Sequence, residues 1–379
     1  MVSSSALRPQ DVSRVAPAAV YRGDGILASV PLQLVGSRAL IVGGPRSLTR
    51  VQEPLQLNLH QQAVQAVQWI PFGRESTEAE VQRLVDLGRA HASTGVIGVG
   101  GGKALDSAKL VAHHLQQPII TVPTSAATCA AWSALSNLYS PQGAFLQDVS
   151  LTQTPLAVVL DYDILRTAPM ATLRAGIGDA LAKWYEASVS SSASKDVLII
   201  AALQQARVLR DLLFQQAETA LQFPGSSAWY QVVDACICLA GVVGGLGGAQ
   251  CRTVAAHAVH NGLTHLIHYP QHLHGDKVAF GILVQLRLEE ILQGSRLAVT
   301  ARKQLIDFYR QIQLPVTLAD LGLPSLTSME LRQVAEVACA PGSDIHHLPF
   351  PVLVEALVVA MQTTALEVNS STPLPVFNL

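Results

Sequence analysis

With 379 residues, 49% of them hydrophobic and only 14% charged, the chain has apolar material for more than one core, and two domains are expected. A net charge of −2, from 25 basic and 27 acidic residues with no basic run, leaves no electrostatic footprint for nucleic acid. Five cysteines (Cys129, Cys236, Cys238, Cys251 and Cys339), odd in number and unpatterned, argue against a disulfide framework and for a reducing, cytoplasmic setting, and the apolar surplus points to further burial in a homo-oligomer.

The first residues, MVSSSALRPQDVSRVAP, carry arginines but no apolar core of a signal peptide. From there the first half alternates strand and helix signals. Arg38 to Val42 is a short apolar strand running into Gly43-Gly44, and Ala63 to Pro71 holds a second apolar run. Glu78 to Leu87 reads as an amphipathic helix, with Val81, Leu84, Val85 and Leu87 on its apolar face. Gly95 to Val99, Pro118 to Pro123 and Ala157 to Asp161 complete the strands. This alternation implies an α/β domain with a largely parallel, Rossmann-like sheet.

After about Pro169 the pattern changes to helices: Leu173–Ser188, Val197–Ala217, Trp229–Val243, Val254–Leu266, Val278–Leu292, Ala298–Gln313 and Ser328–Ala338. An all-α domain from residue 166 onward is therefore expected behind a nucleotide-binding domain of residues 1–165. Ser188 to Ser194 reads as a loop. The run VVDACICLAGVVGGLGGA from Val232 is the most membrane-like, but Asp234 and five glycines mark it as a buried helix approached closely by a neighbour or a ligand. No membrane association is expected.

Four segments carry chemistry. In GVGGGKALDSAK (Gly98 to Lys109) a Gly-rich turn follows a strand and opens a helix, an arrangement in which backbone amides can approach a pyrophosphate. A plain tight turn fits the same residues. VPTSAATCAAWSALSNLYS (Val122 to Ser140) follows a strand directly, so its small and hydroxylic residues belong at the carboxyl edge of the sheet. A small-residue helix-packing surface fits its composition equally. In GIGDALAKWYEA, Asp179 and Lys183 share a helical face among apolar neighbours, and a buried carboxylate there needs either that lysine or a metal as partner. The stretch AAHAVHNGLTHLIHYPQHLHGDKVAFG holds six histidines, of which His257 and His274 together with Asp179 make a plausible three-ligand set for one divalent metal, leaving a position open for substrate.

These four segments, in this order and spacing, resemble the iron-containing alcohol dehydrogenase superfamily and its glycerol-dehydrogenase-like branch, across nearly the whole chain. The resemblance implies the dehydroquinate-synthase-like fold of that superfamily. It implies Asp179, His257 and His274 as ligands of zinc, favoured over iron. It places Gly101, Gly102, Lys103, Ala104, Leu105 and Asp106 against the pyrophosphate of a nicotinamide cofactor, with Thr124, Ser125, Ala126, Ala127, Ser133, Leu135 and Tyr139 as further contacts. His260 and Asn261 also match; they are read as supporting partners behind the ligands, and His260 as a candidate proton relay.

Three departures from the branch refine the reading. Cys129 stands where glycerol dehydrogenases carry an Asp that holds the polyol. Lys183 stands where they carry a neutral residue, and its ammonium could meet a substrate carboxylate. The pair TCAAWS and GDALAKWYEA also resembles hydroxycarboxylate dehydrogenases, so a small 2-oxo or 2-hydroxy acid is the expected substrate. Gly44 replaces the Asp that would hold the adenosine ribose, and Arg46 follows, which favours NADP(H) over NAD(H). The alternatives are an NAD-dependent glycerol, polyol or simple alcohol dehydrogenase, a lyase of the 3-dehydroquinate synthase type, and a degenerate binding protein.

Overall fold

The computed structural model describes residues 13–62, 64, 66–268 and 272–366. The signal-peptide reading of the first residues and the start of the run at Ala63 fall largely outside these. Eight strands are present among the described residues: β1 (Ala19–Gly23), β2 (Arg38–Gly43), β3 (Ala66–Pro71), β4 (Gly95–Gly100), β5 (Ile119–Pro123), β6 (Leu135–Tyr139), β7 (Phe145–Ser150) and β8 (Ala157–Asp161). Six of them form one sheet in the order β1-β8-β5-β4-β2-β3, with every pairing parallel. The central β4, GVIGVG, is buried at all six positions. A strand covered on both faces reads as a continuous apolar run, which is why its sequence signal was clear.

Helices α1 (Pro45–Gln61), α2 (Glu78–Ala90) and α3 (Gly102–Leu115) connect and cover the strands. In α3 the residues from Ala104 to Ala112 are all buried, Lys109 among them. Its ammonium lies 3.1 Å from Asp106 Oδ1 and also donates to the Ser133 and Leu135 carbonyls, so the charge is partnered.

Only helices follow β8 among the described residues: α4 (Tyr162–Arg166), α5 (Met170–Ser190), α6 (Val197–Gln222), α7 (Ser227–Asp234), α8 (Ala240–Gly247), α9 (Ala255–Leu263), α10 (His274–Gln293), α11 (Arg296–Ile312), α12 (Ser328–Ala338) and α13 (Val354–Gln362). A π-helical turn, Ala235–Leu239, joins α7 to α8. The whole stretch Ser227–Cys251 is long and apolar enough to cross a membrane by length and composition. In this fold it packs against α5 and α6, and Gly241 is set against Trp132 from the segment between β5 and β6, where a Cβ would fall 2.3 Å from the indole.

Several elements differ from the sequence expectations. Helix α5 continues through Ser190, so the serine-rich loop begins later than Ser188. Strand β1 escapes a periodicity search because it is a short, half-buried edge strand. The second half of VPTSAATCAAWSALSNLYS is strand β6 of an antiparallel hairpin with β7, not a helix-packing surface. That hairpin leans toward the helical domain, where the Phe145 N–H donates to Thr264 Oγ1 over 2.9 Å.

Candidate active site

Strand order changes direction beside β2 and β4, and ligands of open parallel sheets bind outside the strand ends at such a point. The loops after these two strands touch there. Gly100 has φ +142°, which favours glycine, and a Cβ on it would reach within 3.8 Å of the Gly44 nitrogen. Helices α1 and α3 both start at this edge, with Gly44 and Gly101 as their N-cap residues. Ser47 Oγ and Thr124 Oγ1 are 3.0 Å apart and tie the first loop to the end of β5.

From this edge a cleft of about 1090 Å³ runs to the helical domain. Of the residues expected to contact a nucleotide, Gly44, Gly101, Gly102, Lys103, Ala104, Asp106, Ser125, Ala127, Ser133, Leu135 and Tyr139 line it. Leu105 and Ala126 are instead buried in the core beneath, and Thr124 is held by Ser47. Arg46 is exposed on the first turn of α1 and is not among the lining residues. Lys103 pairs with Glu75, a residue the sequence reading passed over, and lies over the Tyr139 ring.

At the far end of the cleft three helices bring together Asp179 (α5), His257 (α9) and His274 (α10), whose ligand atoms all lie within 4.8 Å of one another. Asp179 Oδ1 is 3.4 Å from His257 Nε2 and 3.3 Å from His274 Nε2. Two donors held about 2.1 Å from one ion at the tetrahedral angle lie about 3.4 Å apart, so one carboxylate and two imidazoles at these separations fit a zinc-like divalent ion. The positions depend on glycine. A Cβ on Gly275 would fall 1.7 Å from the Ala175 carbonyl oxygen, and one on Gly178 would fall 2.6 Å from the Gly275 oxygen. Because neither residue has a Cβ, α5 and α10 cross at backbone contact, and the residues beside the two glycines, Asp179 and His274, face each other.

The electrostatics follow from what each group touches. Burial alone would raise the Asp179 carboxyl; the Lys183 ammonium and the two adjacent imidazoles reverse this and hold it well below the usual carboxylate range. Burial also disfavours the imidazolium of His257, but the Glu186 and Asp179 carboxylates together outweigh it and lift the group to about 9. His274 meets the same Asp179 without a second carboxylate, and there burial wins and lowers it. His260 does not line the cleft. It lies against the His274 ring, with centroids 4.1 Å apart, and its Nδ1 meets Asn261 Oδ1 at 2.9 Å.

Lys183 and Cys129 both line the cleft beside the triad. Lys183 is 3% exposed, yet among the described residues its only hydrogen bond is a 3.4 Å contact to the Arg252 carbonyl. Asp179 attracts it electrostatically but lies outside ion-pair distance, so the direct Asp179–Lys183 pair weighed from the sequence does not form. Burial raises the Cys129 thiol, against the lowering field of Lys183. Two charged residues of this end went unread in the sequence. Glu186 stands seven residues, two turns, beyond Asp179 and so on the same face of α5, a spacing that could have revealed it. Arg252 lines the cleft from the irregular segment before α9 and pairs with Asp148 of the hairpin at 3.2 Å; no periodic signal announces it.

The sequence profile of the family described as iron-containing alcohol dehydrogenase matches residues 17–162. An uncharacterized oxidoreductase of Synechocystis is 52% identical over 355 residues, covering 93% of this chain and 91% of that protein. Hydroxycarboxylate dehydrogenase A of Escherichia coli is 38% identical over 332 residues, covering 86% and 89%. The crystal structure of a probable glycerol dehydrogenase from Sinorhizobium meliloti superposes with a TM-score of 0.81 at 31% identity, covering 92% of this chain and 96% of that one. With relatives this similar along most of its length, the chain belongs to the iron-containing alcohol dehydrogenase family of oxidoreductases.

Proposed function

We propose that the protein is a metal-dependent oxidoreductase that moves a hydride between NADP(H) and a small 2-oxo or 2-hydroxy carboxylic acid. The observation that carries this reading is Lys183, a buried ammonium that faces the cleft beside the Asp179–His257–His274 triad without a carboxylate at ion-pair distance among the described residues. A buried charge of this kind is costly unless something arrives to pair with it. A carboxylate one bond from the reacting carbon is such a partner. Cys129 supports the reading, since its neutral thiol leaves the position free of a charge that would repel an acid.

A zinc-class ion on Asp179, His257 and His274 would polarise the substrate's carbonyl, and a bound nicotinamide would exchange the hydride. The remaining work falls to the chain. Asp179, held ionised, supplies the anionic ligand of the set. Lys183 orients the acid group so that the carbonyl points toward the triad. The Gly101–Asp106 turn and the start of α3 offer backbone amides to a pyrophosphate. His260, behind His274, is the proposed relay for the proton gained in reduction. For the cofactor, Gly44 presents no carboxylate to repel a 2′-phosphate, and Arg46 two residues on offers a cation at the same edge. The five cysteines are unpaired, in keeping with a reducing cytoplasm.

The test is a screen of 2-oxo acids, polyols and simple aldehydes with NADPH and with NADH, with and without chelator. Turnover of 2-oxo acids, better with NADPH and lost on chelation, is expected. Lys183→Ala should raise KM for the acid by roughly 10- to 100-fold, the worth of one charged hydrogen bond, and change KM for neutral aldehydes much less. Turnover confined to glycerol with NAD would favour the second reading, a polyol dehydrogenase, which the similarity to a probable glycerol dehydrogenase supports.

A further inference from the structure

We propose that Glu186 is a positioning residue for the metal centre: it fixes the His257 imidazole with its proton on Nδ1, so that the bare Nε2 is the atom presented to the ion. The inference rests on the proposed metal site, and it adds a residue that touches neither metal nor substrate.

Glu186 is fully buried, and among the described residues every hydrogen bond of its carboxylate goes to one short region. Oε1 accepts the backbone N–H of Val254 over 2.6 Å and that of His257 over 3.0 Å, which secures the entry to α9. Oε2 lies 2.6 Å from His257 Nδ1. A carboxylate can only accept, so Nδ1 must carry the hydrogen. In a neutral imidazole the lone pair then resides on Nε2, the nitrogen that faces Asp179. Among the described residues His274 has no such carboxylate hydrogen-bonded behind it; its ring is backed by His260 instead. The two histidine ligands are therefore supported differently, and His257 depends on one residue for both its backbone position and its tautomer.

Glu186→Gln separates tautomer control from anchoring. The amide is nearly isosteric, and its oxygen can still accept the two backbone N–H groups, which only an acceptor can satisfy. Its NH₂ group then faces Nδ1 and donates to it. That obliges Nδ1 to accept and moves the imidazole proton to Nε2, where it blocks the ligand position. A residue that merely anchored α9 would be replaced by Gln with little effect on metal binding.

The measurement is Zn²⁺ affinity of the metal-free full-length chain, by competition with a chromophoric chelator, for the native and Glu186→Gln proteins. Native binding and a 10- to 100-fold weaker Kd in the variant are expected, the usual cost of losing such a partner. Equal affinity in the two proteins would overturn the role of Glu186 and leave the metal site standing. Failure of the native protein to bind Zn²⁺ would overturn both. If the variant does not fold, ¹⁵N-edited NMR of the zinc-loaded native protein decides: a proton on His257 Nδ1 is expected, and its absence refutes the proposal.

Discussion

Replacing Gly275 with alanine tests whether the crossing of α5 and α10 sets the candidate metal centre. In an ordinary helix interior this change stabilises by about 0.5–1 kcal/mol, because glycine loses more conformational freedom on folding. Here the new methyl would sit 1.7 Å from the Ala175 carbonyl oxygen and 2.4 Å from its carbon. A carbon–oxygen contact needs roughly 3.3 Å, so the helices must part by about 1.6 Å along that direction. Overpacking of this kind costs about 1–3 kcal/mol and reverses the sign of the helix-propensity gain. The consequence for the site is larger, since ligand distances tolerate only about 0.2 Å and His274 is the adjacent residue. Urea unfolding of the metal-free protein should show a loss of about 1–2 kcal/mol, and chelator competition should show that tight Zn²⁺ binding is lost. A variant that is more stable than the native protein and binds Zn²⁺ as tightly would refute the claim that glycine contact places Asp179 and His274.

Other perturbations follow from the same contacts. Zn²⁺ at 100 times its Kd should raise the unfolding free energy by about 2.7 kcal/mol, reversed by chelator, and a null effect would argue against binding to the native state. Lys109→Met leaves the buried Asp106 carboxylate without its ammonium and should destabilise by about 3–5 kcal/mol in urea titrations, with Asp106→Asn added in the double variant recovering part of the loss. Burial raises the Glu289 carboxyl from 4.5 to about 7. The folded chain therefore keeps a proton that the unfolded chain releases between these values, and stability falls as pH rises across that window. Glu289→Gln should remove that slope and be more stable than the native protein by about 1–3 kcal/mol at pH 8, the two converging near pH 4; parallel curves would show that Glu289 is not desolvated. Asp148→Asn, which removes a half-exposed partner of Arg252, should change stability by less than about 1 kcal/mol.

Much of this molecule was determined along the chain itself. Buried parallel strands such as β4 declare themselves as unbroken apolar runs, and α12 begins and ends where the sequence reading put it because Thr327 and Glu330 form a capping box that marks its start. The candidate triad was also suggested along the chain, since Asp179, His257 and His274 sit in distinctive segments. Six histidines share one stretch, however, and only folding brings the ligand atoms of these three residues within 4.8 Å of one another. Other features depended on partners remote in sequence. Strand β1 exists because β8 lies beside it, and the β6–β7 hairpin because its strands pair with each other rather than with the main sheet. Whether Lys183 neutralised Asp179 could not be read from an i,i+4 spacing, which places two side chains on one face but not at one distance. Tertiary packing put the Arg252 carbonyl beside that ammonium and turned it toward the cleft. Glu186 shows the division most clearly. Its place on the face of Asp179 is a property of helical spacing, but its grip on His257 required α9 to be laid across α5, and only folding brings residues 71 apart in sequence within 2.6 Å. Local patterning chose the elements and the reactive residue types; close backbone contact at glycines chose which of those residues meet.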